Sequence, residues 1–157
     1  IAIDKFDNRL KLAKKIGATT VLNSQKVDVW NELDQMFATN GPDVLIDNTG
    51  DTEIISKGFE ILSSRGKLIL VGVPQYTESS KINTLPLHFG KSITGSHGGN
   101  CQPEQDIPRY LNLLKIKNVQ LGEIITDIKP LNRINELIYD MRSGKSSGKC
   151  MVDLNAE

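Results

Sequence analysis

Apolar positions along this chain follow two alternating rhythms. Short β-branched runs read as strands: "IAID", "TTVLNS", "DVLIDNTG" and "GKLILVGVP". Between them the apolar residues recur at helical spacing. "DNRLKLAKKIGA" sets Leu10, Ala13 and Ile16 on one stripe and turns Lys11, Lys14 and Lys15 to water. Asp7 is the expected N-cap of that helix, and Gly17 stands where it should stop. "VDVWNELDQMFATNG" predicts a second helix with Val29, Leu33, Met36 and Phe37 inward, ending near Gly41-Pro42. "TEIISKGFEILSSRG" predicts a third. "GKLILVGVP" is apolar on both faces, as a central strand of a parallel sheet should be.

Strands and helices that alternate at this spacing build βαβ units, so the expected class is α/β with a doubly wound parallel sheet. After Pro74 the alternation loosens into the turn-rich "QYTESSKINTLPLHFG". "KSITGSHGGN" gives one further strand, then come helix-like "DIPRYLNLLKI" and "LNRINELIYDMRSG" and a last short strand in "KCMVDL". Strict alternation ends near Gly98-Gly99, which separates residues 1–98 from 99–157 as two expected parts. No internal repeat or low-complexity segment is visible.

Bulk composition narrows the classes. At 157 residues the chain can bury a real core. Nineteen basic and nineteen acidic residues cancel, so no basic field points to nucleic acid or an anionic membrane. Aromatic residues, at 5%, are too sparse for a base-stacking surface. The apolar run around "LILVGV" is far too short to span a bilayer. Cys101 and Cys150 stand apart, with no CxxC pair and no neighbouring His, and read as reduced thiols of a cytoplasmic protein.

In doubly wound sheets ligands bind beyond the carboxyl ends of the strands. The turns to inspect are therefore Asp4, Asn48-Thr49-Gly50, Val71-Gly72-Val73-Pro74 and Gly95-Ser96-His97-Gly98-Gly99. Asp4 can accept hydrogen bonds from both hydroxyls of an adenosine ribose, and its charge repels a 2′-phosphate, favouring NAD over NADP. A plain turn aspartate is the alternative. A dinucleotide fold also needs a Gly-rich turn about 20 residues before such an acid. No GxGxxG occurs here, and "GSHGG" has the wrong spacing. The chain opens on Ile1 inside a strand-like run, and the expectation is that a first strand and its glycine turn precede it.

"IAIDKFDNRLKLAKKIGAT", "DVLIDNTG", "GKLILVGVP", "SITGSHGG" and "LNRINELIYDMRSGKSSGKCMVDL" occur in an order and at distances that resemble the C-terminal, NAD-binding part of a zinc-type alcohol dehydrogenase of the medium-chain dehydrogenase/reductase superfamily. The resemblance implies that Asp4 and Arg9 contact the ribose. It implies that Thr49 and Gly50 form a turn beside the coenzyme. Val71 and Val73 would meet the nicotinamide carboxamide through their backbone, with Gly72 allowing close approach. His97 would bind the same carboxamide through its N–H, and Lys149 would reach the pyrophosphate as a point charge. Arg9 and Lys149 have plain alternatives as a solvated helix residue and a strand-edge lysine. His97 could instead serve as a side-chain base, and His88 is expected to be structural.

The resemblance further implies a zinc ion acting on a small-molecule alcohol, with zinc ligands on a catalytic domain outside this chain. No catalytic or metal-binding residue is therefore assigned here, and the chain alone is expected to be inactive. Residues 1–98 would be a partial NAD-binding domain and 99–157 a segment returning towards the catalytic domain. By analogy the strand order is 3-2-1-4-5-6, so the strands that open this chain should not pair directly with the later ones. The strand near Ser92–Ser96 would be an edge, and a homo-oligomer is expected through residues 81–96. The alternatives are a zinc-free quinone or enoyl reductase, a non-catalytic nucleotide-binding module, and an AdoMet-dependent methyltransferase. The last of these would finish its sheet with an antiparallel strand.

Overall fold

A computed structural model describes residues 1–38 and 40–156. In chain order the elements are β1 (Ala2–Asp4), α1 (Asp7–Lys15), β2 (Val21–Asn23), α2 (Val29–Phe37), β3 (Val44–Asp47), α3 (Thr52–Ile61) and β4 (Lys67–Leu70). There follow β5 (Ser92–Gly95), α4 (Pro103–Ile116), β6 (Ile125–Pro130), α5 (Ile134–Arg142) and β7 (Lys149–Asp153). Every registered strand pair is parallel: β1 with β2, β3 with β4, β4 with β5, and β6 with β7. This is the expected α/β class, and the parallel β6–β7 pair is not the antiparallel ending of a methyltransferase sheet. The described strands form three sheets, ordered β1-β2, β3-β4-β5 and β6-β7.

Two compact units emerge: residues 1–29 with 103–157, and residues 30–102. The second has the denser core. Leu68 on β4 is fully buried and packs with Ile55, Phe59 and Leu62, and Leu45, Leu70, Ile82 and Ile93 close around them. β4 lies between β3 and β5, which explains its apolar residues on both faces. α3 starts on Asp51, whose carboxylate accepts the N–H groups of Glu53 (2.9 Å) and Ile54 (3.1 Å), orphan donors of a first turn. At the far end Lys91 turns its Nζ onto the carbonyls of Phe59 (3.0 Å) and Glu60 (3.1 Å). Those carbonyls carry the negative end of the helix dipole. Burial pushes the Lys91 ammonium below its usual range, and Glu60 partly opposes the shift.

In the first unit, α1 carries Asp7 in its first turn and Lys14 and Lys15 in its last, which suits the helix dipole, and it buries Leu10. The expected N-cap role of Asp7 is corrected. The cap position is Phe6, extended and without a side-chain cap bond. Asp4 takes the Phe6 N–H at 2.9 Å and closes the turn one residue early. Asp7 then lies in the helix and accepts from Asn23 Nδ2 (2.6 Å) and Lys26 Nζ (2.5 Å), which hold its carboxyl below the usual range. On α2, Val29 and Leu33 are buried as expected, but Met36 is 45% exposed, because the helix stops at Phe37 and leaves Met36 on its uncovered last turn. The segment after Phe37 includes Thr39, which lies outside the described residues. β6 has no counterpart in the expected elements; its apolar residues are interrupted by Asp127 and Lys129.

Candidate coenzyme site

The C-terminal ends of β3, β4 and β5 are aligned, because Asp47 pairs with Leu70 and Leu70 with Gly95. Each strand therefore releases its turn at the same edge of the sheet. The carbonyl of Asp47 accepts the N–H groups of Val71 (2.7 Å) and Gly72 (3.0 Å), which draws the β4 turn onto the end of β3. The fit between the two turns excludes side chains. A Cβ on Gly72 would lie 2.2 Å from the Gly50 nitrogen, and a Cβ on Gly50 would lie 2.5 Å from the Val73 oxygen. Gly50 also has φ of +73°, which disfavours any other residue. Thr49, Gly50, Val71, Gly72 and Val73 thus form one backbone-faced patch, with Val71 and Val73 well exposed at its margin.

His97 follows β5 at the same edge. The preceding Ser96 N–H bonds the Leu70 carbonyl at 2.8 Å, and Ser96 Oγ accepts the Gly99 N–H at 3.2 Å. The His97 side chain is exposed, and its backbone caps a short 3₁₀ turn, Gly98–Asn100.

The first unit positions Asp4, Arg9 and Lys149 by different means. Asp4 is the last residue of β1, and its Oδ2 is 3.7 Å from the Arg9 guanidinium. The Asp4 side chain keeps 30% exposure and that of Arg9 36%. The guanidinium also lies over the Phe6 ring, 4.8 Å from its centre. That ring covers Gly144 so closely that a Cβ there would come within 2.2 Å of it. Asn8 Nδ2 donates to the carbonyls of Gly144 (3.1 Å) and Lys145 (2.9 Å). The loop running into β7 is thereby fastened to the start of α1. Lys149, exposed, is the first residue of β7 after that loop.

Two contributors escaped the sequence reading. No local pattern marks Asn8, and only its long-range partners reveal its role. Asp47, 2% exposed, accepts from Thr49 N–H (3.1 Å), Thr49 Oγ1 (2.6 Å) and Gly50 N–H (3.1 Å). A signal for it existed: an acid ending an apolar strand just before Asn-Thr-Gly is the pattern of an Asx-type turn.

Among the described residues no three His, Cys, Asp or Glu side chains gather as metal ligands. Cys150 Sγ has Asp127 Oδ2 at 3.8 Å, and no disulfide joins Cys150 to Cys101. No helix among the described residues is long and apolar enough to cross a membrane.

Comparison with known proteins gives consistent relatives. The profile described as zinc-binding dehydrogenase matches residues 1–115. A probable S-(hydroxymethyl)glutathione dehydrogenase of Schizosaccharomyces pombe is 27% identical over 156 residues, covering 99% of this chain and 41% of that protein. The crystal structure of an alcohol dehydrogenase zinc-binding domain protein from Burkholderia ambifaria superimposes with a TM-score of 0.85 at 29% identity, covering 99% of this chain and 41% of that one. Benzyl alcohol dehydrogenase from Acinetobacter calcoaceticus gives a TM-score of 0.79 at 29% identity, over 91% of this chain and 39% of that one. The chain thus spans about two fifths of the length of these relatives.

Proposed function

The chain belongs to the zinc-binding dehydrogenase family, and from that premise we propose that it is the coenzyme-binding part of an NAD-dependent alcohol or polyol dehydrogenase. The observation that carries the proposal is Asp4, a half-open carboxylate at the carboxyl tip of a parallel strand, with Arg9 beside it. The remaining residues fit a nicotinamide dinucleotide. Asp4 offers acceptors to a ribose diol, and Arg9 can follow the same sugar. The glycine-tight turns at Gly50 and Gly72 present backbone to a flat amide-bearing ring. Within residues 30–102 the His97 N–H is a donor suited to the carboxamide, and in the other unit the exposed Lys149 ammonium is a charge suited to the pyrophosphate.

A nicotinamide coenzyme, when bound, supplies the hydride acceptor for oxidation of the alcohol. This chain's part is to orient it and to select it by charge, since Asp4 opposes a 2′-phosphate. Residues 1–98 hold the coenzyme-binding elements, and 99–157 return towards a catalytic domain that carries the zinc chemistry. No zinc step is assigned to residues of this chain, and the 157 residues alone are inactive on alcohols. β5 pairs only with β4 among the described residues, and Leu85 and Phe89 beside it are exposed, which supports a homo-oligomer through residues 81–96. Two cysteines outside any disulfide suit a cytoplasmic enzyme.

Calorimetric titration of the chain with NAD, NADP and AdoMet tests the reading. NAD should bind, NADP should bind about tenfold more weakly or worse, and AdoMet should not bind. Preference for NADP or for AdoMet would overturn it. Zinc-dependent reduction of NAD by this chain with any alcohol would refute the assigned division of labour.

A further inference from the structure

We infer that Asp47 is a positioning residue for the coenzyme: it stays out of contact with the ligand and fixes the backbone of both turns that meet it. The inference rests on the coenzyme reading above. Burying a carboxylate is costly unless hydrogen bonds replace its water. At Asp47 a single turn supplies them all: Oδ1 accepts Thr49 N–H and Thr49 Oγ1–H, and Oδ2 accepts Gly50 N–H. An ionised carboxylate is acceptor-only, which matches a turn whose inward groups are all donors. The same residue's carbonyl accepts Val71 N–H and Gly72 N–H. One residue therefore holds the β3 turn with its side chain and the β4 turn with its backbone.

The two turns have no room to move separately. The Cα of Gly50 faces the Val73 carbonyl, and that of Gly72 faces the Gly50 nitrogen, both too close for a methyl group. A shift of the Thr49–Gly50 turn is therefore passed directly to Val71–Val73. These are the positions proposed to present backbone to the nicotinamide carboxamide. Asp47 lies behind them, 2% exposed, and sets where that backbone stands.

Asp47→Asn tests the assignment. The amide keeps one oxygen for the Thr49 donors and sets an NH₂ group against Gly50 N–H, donor facing donor. Affinity for NAD should fall about tenfold. The ratio of NAD to NADP affinity should stay constant, because Asp4 is untouched. Amide hydrogen exchange, followed by NMR, should quicken at Thr49, Gly50 and Val71–Val73 and not at Leu68. Wild-type affinity in the folded variant would overturn the assignment. So would faster exchange spread evenly over β3, β4 and β5, which would mark general loosening. If Asp47→Asn does not fold, Thr49→Val decides: it removes the 2.6 Å hydroxyl bond to Asp47 and the 3.0 Å bond that Thr49 Oγ1 accepts from Asp51 N–H, and it leaves both backbone bonds to the Asp47 carboxylate in place. A loss of about threefold, with faster exchange at Gly50, supports the role, and unchanged exchange and affinity refute it. A wild-type chain that ignores NAD would overturn the coenzyme reading and this inference with it. That outcome is distinct from a wild type that binds NAD and a variant that matches it.

Discussion

Asp4 and Asp47 each end a parallel strand, and the molecule treats the two carboxylates in opposite ways. Asp47 is buried, and its three acceptor bonds go to the turn that follows it. Asp4 spends one oxygen on the Phe6 N–H, pairs loosely with Arg9 at 3.7 Å, and keeps 30% of its side chain open. A carboxylate whose lone pairs are spent inside the fold can only shape backbone. A carboxylate with acceptor capacity left over, facing water, can receive a ligand. The contrast runs through both regions. In residues 30–102 the turns at the strand ends are held by glycine contacts and main-chain bonds, while the region around Asp4 relies on half-exposed side chains.

The largest effect should come from breaking the backbone-built side. Gly72→Ala drives a methyl group to 2.2 Å from the Gly50 nitrogen and 2.6 Å from the Thr49 nitrogen, both main-chain atoms with little freedom to yield. Overpacking of this kind should cost about 3 kcal/mol, or roughly 10 °C in Tm for a chain of this size. Gly95→Ala, at the end of β5, meets nothing within 4 Å and should melt close to wild type. Calorimetric scans of the two variants check the pair. Equal melting temperatures would mean that the interlock at Gly50 and Gly72 does not constrain the fold.

A smaller effect should come from the open carboxylate. Asp4→Ser keeps an acceptor for the Phe6 N–H but removes the charge. It should weaken NAD about tenfold and improve NADP relative to NAD. Little change in Tm should follow, since Asp4 stabilises only a local turn and a half-exposed ion pair. Titration of both coenzymes gives the answer. A variant that loses stability and leaves coenzyme preference intact would make Asp4 a structural residue like Asp47 and erase the contrast.

Much of this was legible in the amino-acid order because it depends on local patterns. "GKLILVGVP" announced the buried central strand through its unbroken apolar run, and Leu68 on β4 is indeed fully buried. Asp4, Gly50 and Gly72 stood at strand ends, where a parallel sheet places its ligands. β6 was missed because Asp127 and Lys129 interrupt its apolar positions, and its pairing with β7 joins segments about twenty residues apart. Asp7 was misread as a cap because Asp4, an equally suitable acceptor three residues earlier, takes the Phe6 N–H and the helix then begins at Asp7 itself. The clasp of Asn8 on Gly144 and Lys145 spans more than 130 residues, a distance at which no short-range periodicity carries information.

The smallest expected effect sharpens the side of the comparison that depends on exposed charge. Near α5, Asp140 accepts from Lys129 Nζ at 2.7 Å and has Lys145 at 3.5 Å, while Glu136 pairs with Arg133 at 2.5 Å. The hydrogen bond from Lys129 holds the Asp140 carboxyl below its usual range, and Arg133 does the same for Glu136. A carboxylate whose pKa is lowered on folding stabilises the protein above its unfolded value. That contribution is lost as the pH falls through the lowered one. Lys129, raised chiefly by the bond to Asp140, behaves oppositely and loses its share only as alkaline pH passes its raised value. Melting followed between about pH 5 and pH 3 should therefore show a decline of which about two degrees disappears in Asp140→Asn. Arg133, Glu136 and Lys145 are exposed and Lys129 and Asp140 half-buried, so added salt should shrink the same increment in part. A decline identical in wild type and Asp140→Asn at low salt would mean that this cluster contributes nothing to folding. The acid sensitivity of the region would then have to come from other carboxylates, with Asp7, held low by Lys26 and Asn23, the next to replace.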